Sequence, residues 1–273
     1  MTDLNCDMGE LEDSAHEAAL MEHIASANIA CGGHAGDEAT MERTVRLALA
    51  RGVHIGAHPG YPDRANFGRL EIVMSPAEIA LTVRQQIERL DAVVRGLGGK
   101  IVHVKPHGAM YNVAVRNAEV ARAIGQGVAQ WNSAIPIFGL AGSPMLEVWR
   151  SMGLTAMGEG FADRRYEPDG TLRNRKFSDA LITVPADAAA QAVRLARSGT
   201  AQTICVHGDT PGSVAILKAC REALANVNGS GAPVRTRPPR RDRRSLLSGF
   251  PRESVSGPSY GPSRTRKRTA LPG

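Results

Sequence analysis

Apolar and β-branched runs of about five residues recur along the chain at residues 2–6, 27–31, 53–57, 101–105, 136–140, 155–159 and 203–207. Short continuous runs of this kind fit parallel strands covered on both faces. Between most of them apolar positions return every three or four residues, which predicts helices over residues 38–51, 76–97, 117–131, 144–152, 186–197 and 213–224. Asp37 before Glu38, Ser75 before Pro76 and Pro185 before Ala186 mark helix starts, and Gly52, Gly98 and Gly199 mark stops.

Seven βα units fit either a doubly wound open sheet or a closed barrel, and the polar residues decide between them. Five runs end in a polar, glycine-rich turn: Asp7-Met8-Gly9-Glu10, His34-Ala35-Gly36-Asp37, His58-Pro59-Gly60, Lys105-Pro106-His107-Gly108 and His207-Gly208-Asp209-Thr210. An open sheet gathers ligand groups from two or three strands at one switch point. A barrel brings every strand end to one face, where barrel enzymes keep their chemistry. The expected fold class is therefore α/β, a seven-stranded (β/α) barrel.

Composition narrows the function classes. No apolar run approaches the roughly 18 residues of a membrane span, and residues 1–5 enter a strand without a basic or apolar leader, so a cytoplasmic protein is expected. The net charge of +6 invites a nucleic-acid reading. Eleven of the 33 Lys and Arg residues but two of the 27 acids fall in residues 233–273, so residues 1–232 carry −3. Residues 228–273 are rich in Arg, Pro, Ser and Gly without periodicity and are expected to be a disordered basic tail behind a catalytic domain of residues 1–227. Nucleic-acid binding through that tail is the alternative of a different class, and none is expected of the folded domain. Only Phe250 and Tyr260 interrupt the tail's arginines as stacking groups.

Several chemistries lack their motifs. There is no Gly-x-x-x-x-Gly-Lys-Ser/Thr loop, no Gly-x-Gly-x-x-Gly opening a helix and no Gly-x-Ser-x-Gly elbow. Cys6, Cys31, Cys205 and Cys220 show no Cys-x-x-Cys pair, and three lie in expected strands as small apolar groups. Without cysteine spacing or a helix-borne histidine pair, no metal ligands are assigned and no tight structural metal is expected.

The candidate residues sit at the strand ends. Asp7 and Glu10 flank the Gly9 turn, where paired carboxylates suit general-base work or metal binding. His34 lies among three glycines, and Asp37 either serves the site or caps the next helix. His58 and His107 end their strands, whereas His54 and His103 lie earlier and are expected to be core groups. Lys105 either forms a buried ion pair or faces the cavity to hold an anion, and the second reading is favoured by its neighbours. Strand alternation puts Lys105 and His107 on one side, so substituting either is expected to cost activity with folding intact. Asp209 and Thr210 can cap the last helix, whose amides suit an oxyanion. The long charged connection over residues 160–176 fits a lid or binding loop.

Together, residues 4–10, 27–37, 56–63, 104–112, 159–166 and 204–212 resemble the LamB/YcsF family, over residues 2 to about 225. The resemblance implies a barrel related to the glycoside hydrolase and polysaccharide deacetylase superfamily. It also implies ATP-dependent opening of 5-oxo-L-proline to L-glutamate, performed with 5-oxoprolinase subunits B and C. The missing phosphate loop agrees with ATP being handled by those partners. On this reading Asp7 or Asp209 activates water, His58 or His107 moves protons, and Lys105 with Arg164 holds a substrate carboxylate or phosphate. Glu10, His34, Asp37, Glu159, Asp163, Arg164, Tyr166 and His207 complete the expected substrate-binding set. An aspartate with two strand-end histidines also suits a divalent metal, which leaves a metal-dependent deacetylase or hydrolase as the alternative enzyme. The chain departs from the family at Leu70, where a second arginine is usual, and in its tail.

Overall fold

The computed structural model describes residues 2–227; the expected disordered tail, residues 228–273, lies outside the described residues. Seven parallel strands, β1 (Asp3–Met8), β2 (Ser26–Ala30), β3 (His54–His58), β4 (Ile101–Val104), β5 (Ile137–Leu140), β6 (Ala156–Phe161) and β7 (Thr203–Cys205), close into a barrel in sequence order. Closure is made by β7 pairing with β1, with Asp3 opposite Thr203 and Asn5 opposite Cys205.

Among the described residues eight helices surround it: α1 (Ser14–Met21), α2 (Glu38–Arg51), α3 (Pro76–Gly96), α4 (Gly108–Arg116), α5 (Ala118–Asn132), α6 (Pro144–Ser151), α7 (Pro185–Arg197) and α8 (Ser213–Val227). Their start signals act as their chemistry requires. Ser75 and Glu78 form a reciprocal capping box on α3, with Pro76 following at the first helical position. Losing such a cap costs about 1 kcal/mol. None of the helices among the described residues is long and apolar enough to cross a membrane.

The hydrophobic core lies between barrel and helices. Leu4, Cys6 and Met8 of β1 belong to it, as do Ala27 and Ile29 of β2. The alternate residues Asp3, Asn5 and Asp7 meet polar partners instead, as do Ser26 and Asn28. Asn5 donates to Thr203 Oγ1 at 2.7 Å, Asn28 donates to Asn5 Oδ1 at 2.7 Å, and His103 Nε2 lies 2.8 Å from Asn28 Oδ1. The first strands are thus alternating, apolar outward and polar inward, and not apolar on both faces as their average hydrophobicity suggests.

Two histidine readings divide. His103 is a buried core group, stacked on Phe138 and held neutral by burial, which lowers its pKa to about 3. His54 is exposed, because it is the first residue of β3 and stands at the opposite rim from the strand ends.

Candidate active site at the C-terminal mouth of the barrel

The strand ends open into a cavity of about 550 Å³, lined by Asp7, Glu10, His58, Lys105, His107 and His207 among others. Its outer wall comes from the connection after β6, from which Arg164, Asp169, Thr171, Leu172, Asn174 and Arg175 face the same space. The binding-loop reading of residues 160–176 fits this placement.

Glu10 is positioned by a residue that gave no signal in the sequence. Buried Glu17 of α1 accepts from the amides of Gly9 at 2.6 Å and Glu10 at 3.2 Å, which turns the chain after β1 and aims the Glu10 side chain inward. Glu10 Oε1 lies 2.8 Å from His34 Nε2, 3.3 Å from His107 Nδ1 and 3.6 Å from His58 Nε2. Burial would raise its pKa, but the histidines around it outweigh this and hold the carboxyl below its ordinary range.

The histidines come from three strand ends, His58 as the last residue of β3 and His34 and His107 from the turns after β2 and β4. His58 Nδ1 lies 2.7 Å from the carbonyl of Lys105, and His107 Nε2 lies 2.9 Å from the carbonyl of Phe67. A carbonyl only accepts, so each of those nitrogens carries hydrogen and donates. Phe67 has φ 55, a left-handed conformation unfavourable for a bulky side chain, and is followed by Gly68 with φ 63. A Cβ on Gly68 would lie 2.7 Å from His34 Cβ, so this turn is strained and pressed against the imidazoles. His34 stacks on His107 with ring centroids 3.5 Å apart and planes 4° apart. Burial lowers the His34 pKa to about 4, so the ring is neutral.

Lys105 is more deeply engaged than its position suggested. Its ammonium, 3% exposed, lies 2.8 Å from Asp7 Oδ1 and 3.0 Å from Glu159 Oε1, and it donates to Cys205 Sγ at 3.0 Å. Both readings of this residue hold in part: it borders the cavity, yet its charge is already matched by two buried carboxylates. Desolvation opposes the ammonium, but Asp7, Cys205 and Glu159 more than reverse that and raise its pKa. Burial likewise opposes ionised Asp7, which His58 and Lys105 nevertheless hold well below the usual carboxylate range. Removal of Lys105 would strand two buried acids, so its loss is expected to lower stability as well as activity.

Other candidates separate by what they touch. Asp163 is fully buried beneath the mouth, accepting from the amide of His207 at 3.0 Å and from Thr210 Oγ1 at 2.6 Å. It positions His207 and does not line the cavity. Glu159 is also fully buried and acts through Lys105. Arg164 reaches the cavity while donating to the carbonyl of Arg173 at 2.6 Å.

Three expected site residues are placed otherwise. Asp37 is exposed and caps α2, accepting from Thr40 N at 2.7 Å, because the β2 loop turns its side chain back along the helix. Tyr166 accepts from the amide of Phe161 at 2.7 Å and braces its own loop. Asp209 lines the cavity at its rim, paired with Arg69 and 2.9 Å from Arg175 Nη1, so its charge is already matched by two arginines. Arg69 and Arg175 were not expected at the site, since arginines in charged loops resemble ordinary solvated surface. The four cysteines are free and buried, as small packing groups should be.

A closed seven-stranded βα barrel with acids and imidazoles gathered at its strand ends is the architecture of a barrel enzyme. The LamB/YcsF family model matches residues 2–238, and the chain belongs to that family. The A subunit of 5-oxoprolinase from Chloroflexus aggregans is 45% identical over 86% of this chain and 98% of its own length. Its counterpart from Bordetella pertussis is 42% identical over 81% of this chain and 94% of its own. The crystal structure of a lactam utilization protein from Thermus thermophilus superposes with a TM-score of 0.77 at 37% identity, covering 83% of this chain and 97% of that one.

Proposed function

We propose that this chain is the A subunit of a 5-oxoprolinase and opens the five-membered lactam of 5-oxo-L-proline to L-glutamate. The observation that carries the reading is Glu10 with His58 and His107, buried at one end of a cavity whose mouth presents Arg69, Arg164 and Arg175. A small anionic amide fits both ends: its carboxylate faces the arginines while its carbonyl carbon meets the acid and imidazoles. The names carried by the relatives agree with this assignment.

A lactam carbonyl is a poor electrophile, and phosphorylating its oxygen with ATP would activate it. ATP and the phosphoryl transfer are assigned to partner subunits B and C, in keeping with the missing phosphate loop. In this chain a base at Glu10, His58 or Asp7 takes a proton from water as the water oxygen bonds to the carbonyl carbon. His107 or His58 returns a proton to the ring nitrogen as the C–N bond breaks, which leaves γ-glutamyl phosphate; a second water then hydrolyses the acyl phosphate to L-glutamate and inorganic phosphate. Asp209 keeps Arg69 and Arg175 in place at the mouth, and Lys105 keeps Asp7 ionised.

The experiment is reconstitution of the full chain with subunits B and C, following 5-oxoproline-dependent ATP hydrolysis and glutamate release. Glutamate should form with all three and not when this chain is omitted. Equal glutamate without this chain, or no turnover of 5-oxoproline by the complete mixture, would overturn the assignment.

A further inference from the structure

Exposed apolar side chains gather at one end of the barrel. Among the described residues the exposed large hydrophobics are Leu49, Leu70, Val73, Leu81, Phe177 and Val184. Leu70 and Val73 stand on the connection after β3, and Phe177 and Val184 on the connection after β6, where Val184 is the residue before α7. In a βα barrel the connection after each strand lies at the mouth and the next helix starts there, so Leu81, in the second turn of α3, belongs to the same end. Of the six, Leu49 alone, near the end of α2, lies toward the opposite end.

Single exposed apolar residues are ordinary, but these stand on two connections that are joined across the mouth. Arg69, beside Leu70, and Arg175, two residues before Phe177, both pair with Asp209, so the connections meet at the rim of the cavity. Val73 is fully exposed, and Leu70 and Val184 are more than half exposed. The Phe177 ring has the Arg173 guanidinium 4.5 Å and the Lys176 ammonium 5.2 Å from its centroid. Arg173 is matched by Glu167 and Asp179, whereas Arg165 and Lys176 are exposed and make no ion pair among the described residues. Aromatic, aliphatic and arginine side chains together are the composition of a protein interface.

We infer that this face, built from the connections after β3 and β6, docks the nucleotide-binding B and C subunits directly over the cavity. The inference rests on the 5-oxoprolinase reading, in which the partners phosphorylate the lactam and this chain opens it, so an activated lactam passes between proteins. Bulk water destroys such a compound, and a partner seated on the mouth delivers it with water excluded. Charge supports the same occupant. Arg164, buried beneath the rim, lines the cavity with its Nε unpartnered and makes no ion pair among the described residues. A buried cation without a carboxylate is costly until an anion reaches it, and the incoming phosphoryl group is one. The docking surface should offer apolar side chains to Leu70, Val73, Phe177 and Val184, and carboxylates to Arg165 and Lys176. A second copy of this chain, docked mouth to mouth, would bring like charges together and shut both cavities.

The full-length chain is mixed with subunits B and C in the presence of 5-oxoproline and ATP, and association is followed by calorimetry and by hydrogen exchange. Amides of residues 69–74 and 173–184 should exchange more slowly in the mixture, while those around Leu49 do not change. Val73→Asp and Phe177→Asp should each weaken association by about tenfold or more, whereas Leu49→Asp leaves it unchanged. Glutamate formation by the two rim variants should recover as B and C are raised, because docking and not chemistry has been damaged.

Association that protects the outer helices or the Leu49 end instead, or that neither rim substitution weakens, overturns the docking surface and leaves the lactam reading standing. Protection of the same residues in the chain alone as its concentration rises gives the face to a second copy and overturns it too. No association with B and C also overturns it; glutamate formed under those conditions keeps the lactam reading, and none removes both. Should a substituted chain fail to fold, the exchange pattern of the wild-type chain still decides.

Discussion

Replacing Lys105 with methionine removes a cation from between two buried carboxylates while keeping nearly the same length of chain. Asp7 is 5% exposed and Glu159 fully buried, at 2.8 Å and 3.0 Å from the ammonium. Breaking a buried pair in this way costs about 3–5 kcal/mol, because the stranded charge keeps its desolvation penalty and loses its partner. Burial already raises the Glu159 pKa, so in the variant Glu159 should take up a proton and keep the cost toward the lower end. For a domain of this size each kcal/mol moves Tm by roughly 2–4 °C, so a fall of about 6–20 °C is expected by circular dichroism. Lys105→Met combined with Glu159→Gln should recover more than half of that loss, since one unmatched charge is gone. A fall of less than about 2 °C, or a double variant no more stable than the single one, would refute the claim that Lys105 is a structural cation.

His107→Ala should lower glutamate formation by the reconstituted enzyme at least roughly a hundredfold, with circular dichroism unchanged; near-normal turnover would remove His107 from the chemistry. Arg175→Ala should raise KM for 5-oxoproline by about tenfold with little change in kcat, since a charge-assisted contact at the mouth is lost and nothing at the buried end moves; an unchanged KM would place the substrate anion elsewhere. Acid stability offers a further test through Asp163. His207 and Thr210 overcome burial and lower its pKa to about 2, against 3.8 as the ordinary value. A depressed carboxyl stabilises the fold above about pH 4 and loses that contribution as pH falls through about 2, on the order of 2 kcal/mol in all. Asp163→Asn should therefore narrow the gap in urea stability between pH 5 and pH 2.5, and an undiminished gap would assign the acid limb to other carboxyls.

Much of the fold was legible along the chain. Seven strands and six helices fall within a few residues of their expected places, because buried runs and helix caps are local features. Two helices were not expected. α1 has eight residues and little amphipathic contrast, and α4 buries Ala109, Met110, Tyr111, Val113, Ala114 and Val115, which is too many sides for a helical period to stand out. The inner polar ladder of Asn5, Asn28 and Thr203 was hidden for a related reason: short strands with one polar residue in two still average as apolar.

The site was legible as a set of residues and not as an arrangement. Polar side chains after a strand and before a glycine turn are a sequence signal, and Asp7, Glu10, His34, His58, Lys105, His107 and His207 were all found by it. Which of them meet was decided by closure of the barrel, which sets residues as far apart as Lys105 and Cys205 within 3.0 Å. Closure spent the charge of Lys105 on Asp7 and Glu159, left Asp209 at the rim with two arginines and turned Asp37 into a helix cap. It also set the side chains of Glu10, His58 and His107 within 3.6 Å of one another. Chain order determined which chemical groups reach the mouth, because strand direction and loop position are local; their pairings, protonation and distances came only with tertiary structure, because hydrogen bonds and charges act through space over a few ångströms whatever the separation in sequence.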